Sequence, residues 1–265
     1  MNRGGFGPES WEWMASRENA DLLVVEAARS GSLVEAKRAH AAGASPAGLA
    51  RALCACARKG HVRLVRWLLA DAGVDEACAP DGVPPLVLAA GAGHVAVVGA
   101  LADHARAQGG AARLRRLLSG ADASTGACAL HRAVGCESVE VVARLLALGA
   151  EPDAPDRAEC TPLHHALRRG AVACARTLLR AGAAMSARAH DGRSVLQLAE
   201  LSGHAHLARA LQRELRTPTL DEKGRAHSAP ADAAELASAA ATAASGVPGC
   251  ARAASAGDGL SLIHI

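Results

Sequence analysis

Apolar residues recur along this chain in short clusters spaced three and four apart, the period of one helical face, and the clusters stop at glycines. Residues 161–183, TPLHHALRRGAVACARTLLRAGA, show the unit best. Leu163, Ala166 and Leu167 share one face, and Gly170 offers a left-handed stop. Cys174, Ala175, Leu178 and Leu179 make a second face that ends at Gly182. Thr161 is placed to cap the first helix with its hydroxyl, and Pro162 suits the first helical position, where a missing N–H costs nothing. The pattern predicts helix, tight turn, helix, loop. Each helix holds roughly 8–10 residues, and isolated helices below about 12–15 residues are marginal in water. The unit therefore needs neighbours.

Neighbours come at a fixed period. Thr161 to Ser194, Cys128 to Thr161 and Arg51 to Pro84 are each 33 residues apart, as are Gly60 to Gly93 and Gly170 to Gly203. The recurring words are TPLHHA at 161–166, GHVRLVRWLL at 60–69 and DGVPPLVLAAGAGHVAVV at 81–98, with SVEVVARLLALGA at 138–150 and DGRSVLQLAELSGH at 191–204. With this period and this T-P-L-H-x-A start, the chain resembles the ankyrin-repeat family over residues 21–215. The resemblance implies an all-α, ankyrin-type α-solenoid of paired antiparallel helices with hairpin-like loops. It casts Thr161, Pro162, Leu163, His164, Gly170 and Gly182 as the structural motif. It also gives the T-P-L-H imidazole a bond to the loop backbone between repeats.

Six repeats are expected, at 21–47, 48–78, 81–122, 124–153, 157–186 and 190–215. The first is degenerate and the last polar, as terminal repeats of an array should be. Before them, residues 1–20 carry Trp11, Trp13 and Met14, which suit a cap on the first repeat or a docking peptide. In the second repeat Trp67 takes a place beside the aliphatic stripe and reads as core. The third is irregular. Cys128 lies 44 residues after Pro84, a net insertion of 11, which predicts a second helix prolonged, or broken at Gly109 and Gly110 and resumed through 113–118. Arg113, Arg115 and Arg116 there suit a solvated helix face or a docking feature. In the fourth repeat Glu137 stands at the turn-glycine position, which leaves that turn's geometry open. Residues 216–259 turn to linker and Ala/Ser-rich composition, too poor in apolar residues to pack, and are expected to be a disordered tail. The closing LSLIHI, 260–265, reads as the translation of a sequencing-library adapter and is set aside.

Composition narrows the classes. Half of the 265 residues are apolar, yet there are three Trp, one Phe and no Tyr, so a core of Ala, Leu, Val and Gly is expected. That suits thin helices in close contact and argues against a sheet core. A net charge of +3 and few stacking aromatics argue against nucleic acid. Eight cysteines show no C-x-x-C pair and several sit where the repeat needs a small buried residue, so they read as reduced thiols in the cytoplasm or nucleus. No run of 18 apolar residues offers a membrane span.

The chemistry-bearing residues resolve to structure before catalysis. His94, His131, His164 and His204 are expected to brace turns and loops. Cys160, His164 and His165 give C-x-x-x-H-H, which lacks a recognised zinc spacing and a fourth ligand. Phosphate-cradle, nucleophile-elbow and H-E-x-x-H motifs are absent from the sequence. No cofactor, metal or catalysis is expected. There remains the concave face, where the resemblance places partner contacts. The residues before the turn glycines include Arg58, Lys59, Arg168 and Arg169, and the finger loops add Arg157, His190 and Arg193. These basic positions suit an acidic or phosphorylated segment of a protein partner. The expected function is a monomeric scaffold or adaptor. The alternatives are a recognition or regulatory module of a larger protein, such as a ubiquitin-ligase receptor, kinase or channel, and, more remotely, a Cys/His metal protein.

Overall fold

The computed structural model describes residues 17–216, which form twelve helices in six successive pairs. They are α1 (Arg17–Ser30) with α2 (Leu33–Ala41), α3 (Pro46–Lys59) with α4 (Val62–Ala70), and α5 (Pro85–Gly91) with α6 (Val95–Leu118). The series continues with α7 (Ala129–Gly135) and α8 (Val139–Ala147), α9 (Pro162–Arg169) and α10 (Val172–Arg180), and α11 (Val195–Leu201) and α12 (Ala205–Arg216). First helices pack in single file, α1 on α3 and so on to α9 on α11, while α4, α6, α8 and α10 form a second file behind them. The described residues contain no strand; two isolated bridges, Ala121 to Cys128 and Arg188 to Ser194, mark the finger loops. The expected aromatic cap at Trp11, Trp13 and Met14 and the tail beyond Arg216 lie outside the described residues.

The core runs the length of the stack. Leu53, Leu64, Leu68, Leu86, Leu101, Leu130, Leu145, Leu163, Leu167 and Leu178 are fully buried between consecutive pairs. Each such leucine contributes about 1.5–3 kcal/mol relative to exposure. Alanines at Ala52, Ala90, Ala133 and Ala166 are fully buried on the first helices. Trp67 is buried, its ring edge-on to His40 at 5.7 Å between centroids. Of the two forms expected for the insertion, the broken one is observed. α6 leaves helical geometry at Gly109 (φ −155°, ψ 19°) and Gly110 (φ 62°, ψ −147°), then resumes to Leu118.

Turn glycines answer to two constraints at once. Gly60 has φ 83°, the left-handed region, and a Cβ there would stand 2.8 Å from the His94 ring of the next repeat. His94 is held in that place by a 3.1 Å contact from its Nε2 to the Arg58 carbonyl. The same pairing recurs between Gly31 and His61 and between Gly170 and His204. At the fourth repeat Glu137 adopts φ 58° itself. It is tolerated because the following repeat carries Ala171, and no imidazole, at the corresponding position. The turn geometry survives without glycine where the neighbour's ring is missing.

The helix starts use a second set of rings. Nδ1 of His131 accepts the Cys128 amide at 3.2 Å, and its Nε2 meets the Cys160 carbonyl of the next finger at 2.9 Å. In the fifth repeat Nδ1 of His164 accepts the Thr161 amide at 3.1 Å. Its Nε2, aimed toward the backbone at Ala187 and Arg193, closes no hydrogen bond. The brace expected of the T-P-L-H imidazole is therefore complete at His131 and half made at His164. Gln197 does the same local task in the sixth repeat, its Oε1 accepting the Ser194 amide at 2.9 Å. Burial pushes His164 below the ordinary histidine range, and burial does the same to His165 against the opposing pull of Asp156.

Two measurements check these points. Gly93→Ala, with φ 77° and no neighbour within 4 Å of the added carbon, should cost about 1–2 kcal/mol from left-handed strain alone. Gly60→Ala should cost more, and His94→Ala should recover part of the difference in a double-mutant cycle read by urea denaturation. For pH, a histidine depressed below its unfolded value near 6.5 stays neutral in the fold while the unfolded chain takes up protons. Stability should accordingly fall as pH drops below about 6.5, and His164→Gln, which copies the sixth repeat, should flatten that slope in urea midpoints taken from pH 7.5 to 5.5.

Candidate functional site

The residues before the turn glycines lie at the C-terminal ends of the first helices. Arg58 and Lys59 close α3 and Arg168 and Arg169 close α9, all exposed. Cations belong there, since the last turn of a helix carries partial negative charge. Between these two basic points the ends of α5 and α7 present Gly91 and Gly135, so the row is low in its middle.

Finger loops are tied to one another beside this row. Ala123 donates its amide to Gly82, Arg157 to Thr125 and His190 to Ala158, at 2.8, 3.1 and 2.9 Å. Each finger is shaped by an aspartate that accepts amides from its own loop: Asp75 from Ala77, Asp122 from Ser124, Asp156 from Ala158 and Cys160, and Asp191 from Arg193. Asp122 is buried and its carboxyl is held far below the usual range, first by the Ser124 hydroxyl and amide and then by Arg132. Aspartates at 122, 156 and 191, some 34 and 35 residues apart, are a signal the sequence carried. The helix pattern alone does not reveal it.

Four of the seven basic positions converge. Arg157, Arg168, His190 and Arg193 line one hollow of about 480 Å³ between the fifth and sixth repeats, with Cys160, Asp191 and Leu198 completing its wall. Their roles differ. Arg157 donates to the Ser124 carbonyl at 2.9 Å and also to the Ala123 carbonyl, so it braces the fourth finger. Arg193 pairs with Asp191 at 3.2 Å, both half exposed. Arg168 donates to Nδ1 of His165 at 3.0 Å, and Nε2 of that ring meets Asp156 at 2.8 Å, a relay that holds the guanidinium. Arg58, Lys59 and Arg169 make no ion pair among the described residues, and Arg58 and Lys59 lie three repeats away from the hollow.

Arg113 has a different place from either one the sequence suggested. Its Nε and a terminal nitrogen grip both oxygens of Glu76, which is 1% exposed, and the same nitrogen reaches Asp75 at 3.2 Å. His104 of α6 stands 3.6 Å from the same carboxylate. The clamp fastens the resumed part of α6 to the finger between α4 and α5. Arg115 and Arg116 stay exposed.

His131, Asp156 and His165 bring three potential ligand atoms within 4.8 Å of one another. Protons hold the positions a cation would need. Because Nδ1 of His131 accepts an amide, its own hydrogen is on Nε2 and points at Cys160; His165 likewise shares its Nε2 hydrogen with Asp156. Cys160 is buried, and that burial pushes its thiol up, away from the thiolate a metal would want. The cluster reads as a hydrogen-bond network that fixes a finger. Cys128, at the Thr161-equivalent cap, sits 3.1 Å from Nδ1 of His131. Burial pushes the Cys128 thiol up, but the His131 ring and the backbone amides of Leu130 and His131 together draw it down.

A family model described as ankyrin repeats, in three copies, matches residues 53–156, 104–189 and 130–222. Cyclin-dependent kinase inhibitor 2A of Monodelphis domestica is 43% identical over 79 residues, 29% of this chain and 46% of that relative. The chain thus spans less than half the length of this curated relative. The paired helices, the finger loops and the repeat matches agree: the chain is a protein-interaction repeat module and belongs to the ankyrin-repeat family.

Proposed function

We propose that the row of first-helix ends and finger loops, on the concave face, binds a protein partner through an acidic or phosphorylated segment. The hollow framed by Arg157, Arg168, His190 and Arg193 carries this reading, because an anion meets several guanidinium donors there. Arg58, Lys59 and Arg169 offer further cations without competing ion pairs among the described residues. Exposed charge pairs are worth only about 0.2–1 kcal/mol each. A useful affinity therefore needs several of these contacts together, and it should weaken with salt.

The reading is of a monomeric scaffold or adaptor without catalysis, acting in the cytoplasm or nucleus. The seven described cysteines are unpaired, which supports a reducing compartment. No helix among the described residues is long and apolar enough to cross a membrane. The Cys128 and His131 pair supports structure over chemistry, since both ring nitrogens already serve the helix start and the next finger. A narrower reading makes the partner a cyclin-dependent kinase. The 43% identity to an inhibitor of that name over 79 residues favours it.

Charge reversal tests the proposal. Arg168→Glu with Arg169→Glu in the full chain should lower binding to acidic and phosphorylated peptides at least tenfold, and raising salt from 50 to 300 mM should weaken the parent protein's binding. Equal binding by the parent and the double variant would dismiss the arginine-rich face. Titrating the chain against a panel of cyclin-dependent kinases decides the narrower reading, which fails if no kinase loses activity.

A further inference from the structure

The finger between α4 and α5 lays Cys78 across α3 beside Cys54. Sγ of Cys78 lies 4.0 Å from the Ala50 carbonyl oxygen. In an α-helix that oxygen accepts the amide of residue 54, so the sulfur rests on the turn that carries Cys54. From the other side, Sγ of Cys54 lies 3.9 Å from the Val83 carbonyl of the same finger. These reciprocal contacts between the finger and one turn of α3 bring the two thiols to the same place, although they are 24 residues apart in sequence. Their exposure is unequal, with Cys54 buried and Cys78 only half-buried and reachable from solvent.

We propose that Cys54 and Cys78 form a reversible dithiol–disulfide site whose oxidant is a hydroperoxide. Cys78 attacks as the thiolate: its sulfur bonds to one peroxide oxygen, the O–O bond breaks, and the departing alkoxide or hydroxide takes a proton. Cys78 is then a sulfenic acid. The Cys54 sulfur, giving up its hydrogen, attacks Cys78; the S–S bond forms, the S–O bond breaks, and the leaving hydroxide departs as water. In sum, two thiols and one hydroperoxide give one disulfide, one alcohol or water, and one water. The environment suits this order of events. The neighbouring Cys78, then burial, pushes the Cys54 thiol up, so Cys54 stays protonated until it is called on. Cys78 is the sulfur that a peroxide in solvent can reach. Closing the bond needs the two side chains to approach disulfide distance. It would pin the finger to α3, and that finger also carries Glu76, the carboxylate gripped by Arg113.

The test uses the full chain, reduced and then exposed to a few equivalents of hydrogen peroxide. Remaining thiols are alkylated, the protein is digested without reductant, and the peptides are mapped by mass spectrometry. A Cys54–Cys78 linked pair within one monomer, two hydrogens lighter and restored by dithiothreitol, is the expected result. With Cys54→Ser, Cys78 should stop at the sulfenic acid and be trapped by dimedone; with Cys78→Ser, Cys54 should stay reduced. The inference is overturned if Cys54 remains a thiol at peroxide levels that oxidise the exposed Cys136, or if Cys78 joins other cysteines as often as Cys54. Because the parent protein supplies the deciding measurement, a variant that folds poorly does not blunt it.

Discussion

Every pair of helices in this chain is too short to hold itself together, and each lends its apolar stripe to the next. That lateral burial is the constraint from which the rest follows. Leu53, Leu86, Leu130 and Leu163 occupy equivalent places on successive first helices, and all are shut away from water. A second file of Leu68, Leu101, Leu145 and Leu178 lies behind them. The interior is narrow because it is filled by alanines and leucines, with Trp67 the one large ring buried among the described residues.

Close stacking then dictates the polar parts. Several turns and fingers of one repeat touch their counterparts in the next, so side chains there are chosen in pairs across repeats. His94 needs Gly60 behind it, and Glu137 is admitted where Ala171 follows. His131 reaches the fifth finger at Cys160, while Arg157 reaches back to the fourth at Ala123 and Ser124. These are contacts of neighbours along a line, as expected of an array whose stability resides in its interfaces. The insertion in α6 departs from that rule by folding back onto the finger at Asp75 and Glu76, where Arg113 fastens it.

Function, on this view, occupies what the stacking leaves unused. The last turns of the first helices and the tips of the fingers are exposed, and several of their cations have no internal partner among the described residues. Arg157 and Arg168 show that a basic residue on this face is not automatically free: one braces a finger and the other is oriented by the Asp156–His165 relay. The hollow they frame with Arg193 is a product of the fold's local geometry.

Much of this architecture was legible in the chain itself. A period of 33, apolar spacing of three and four, and turn glycines at matching positions determine that the helices are short, paired and stacked, because no other arrangement buries all those faces. Trp67 as core follows from the same local rules, while for the insertion they left two forms open, a prolonged helix or one broken at Gly109 and Gly110. The tertiary structure decided what depends on contacts between repeats. Only there do Arg157, Arg168, His190 and Arg193 meet, does Arg113 find a buried carboxylate 37 residues away, and does Cys78 come to rest beside Cys54. Sequence spacing reports the face of a helix a residue occupies. The partner that face meets is set by how the next repeat packs against it, and a one-dimensional pattern does not contain that distance.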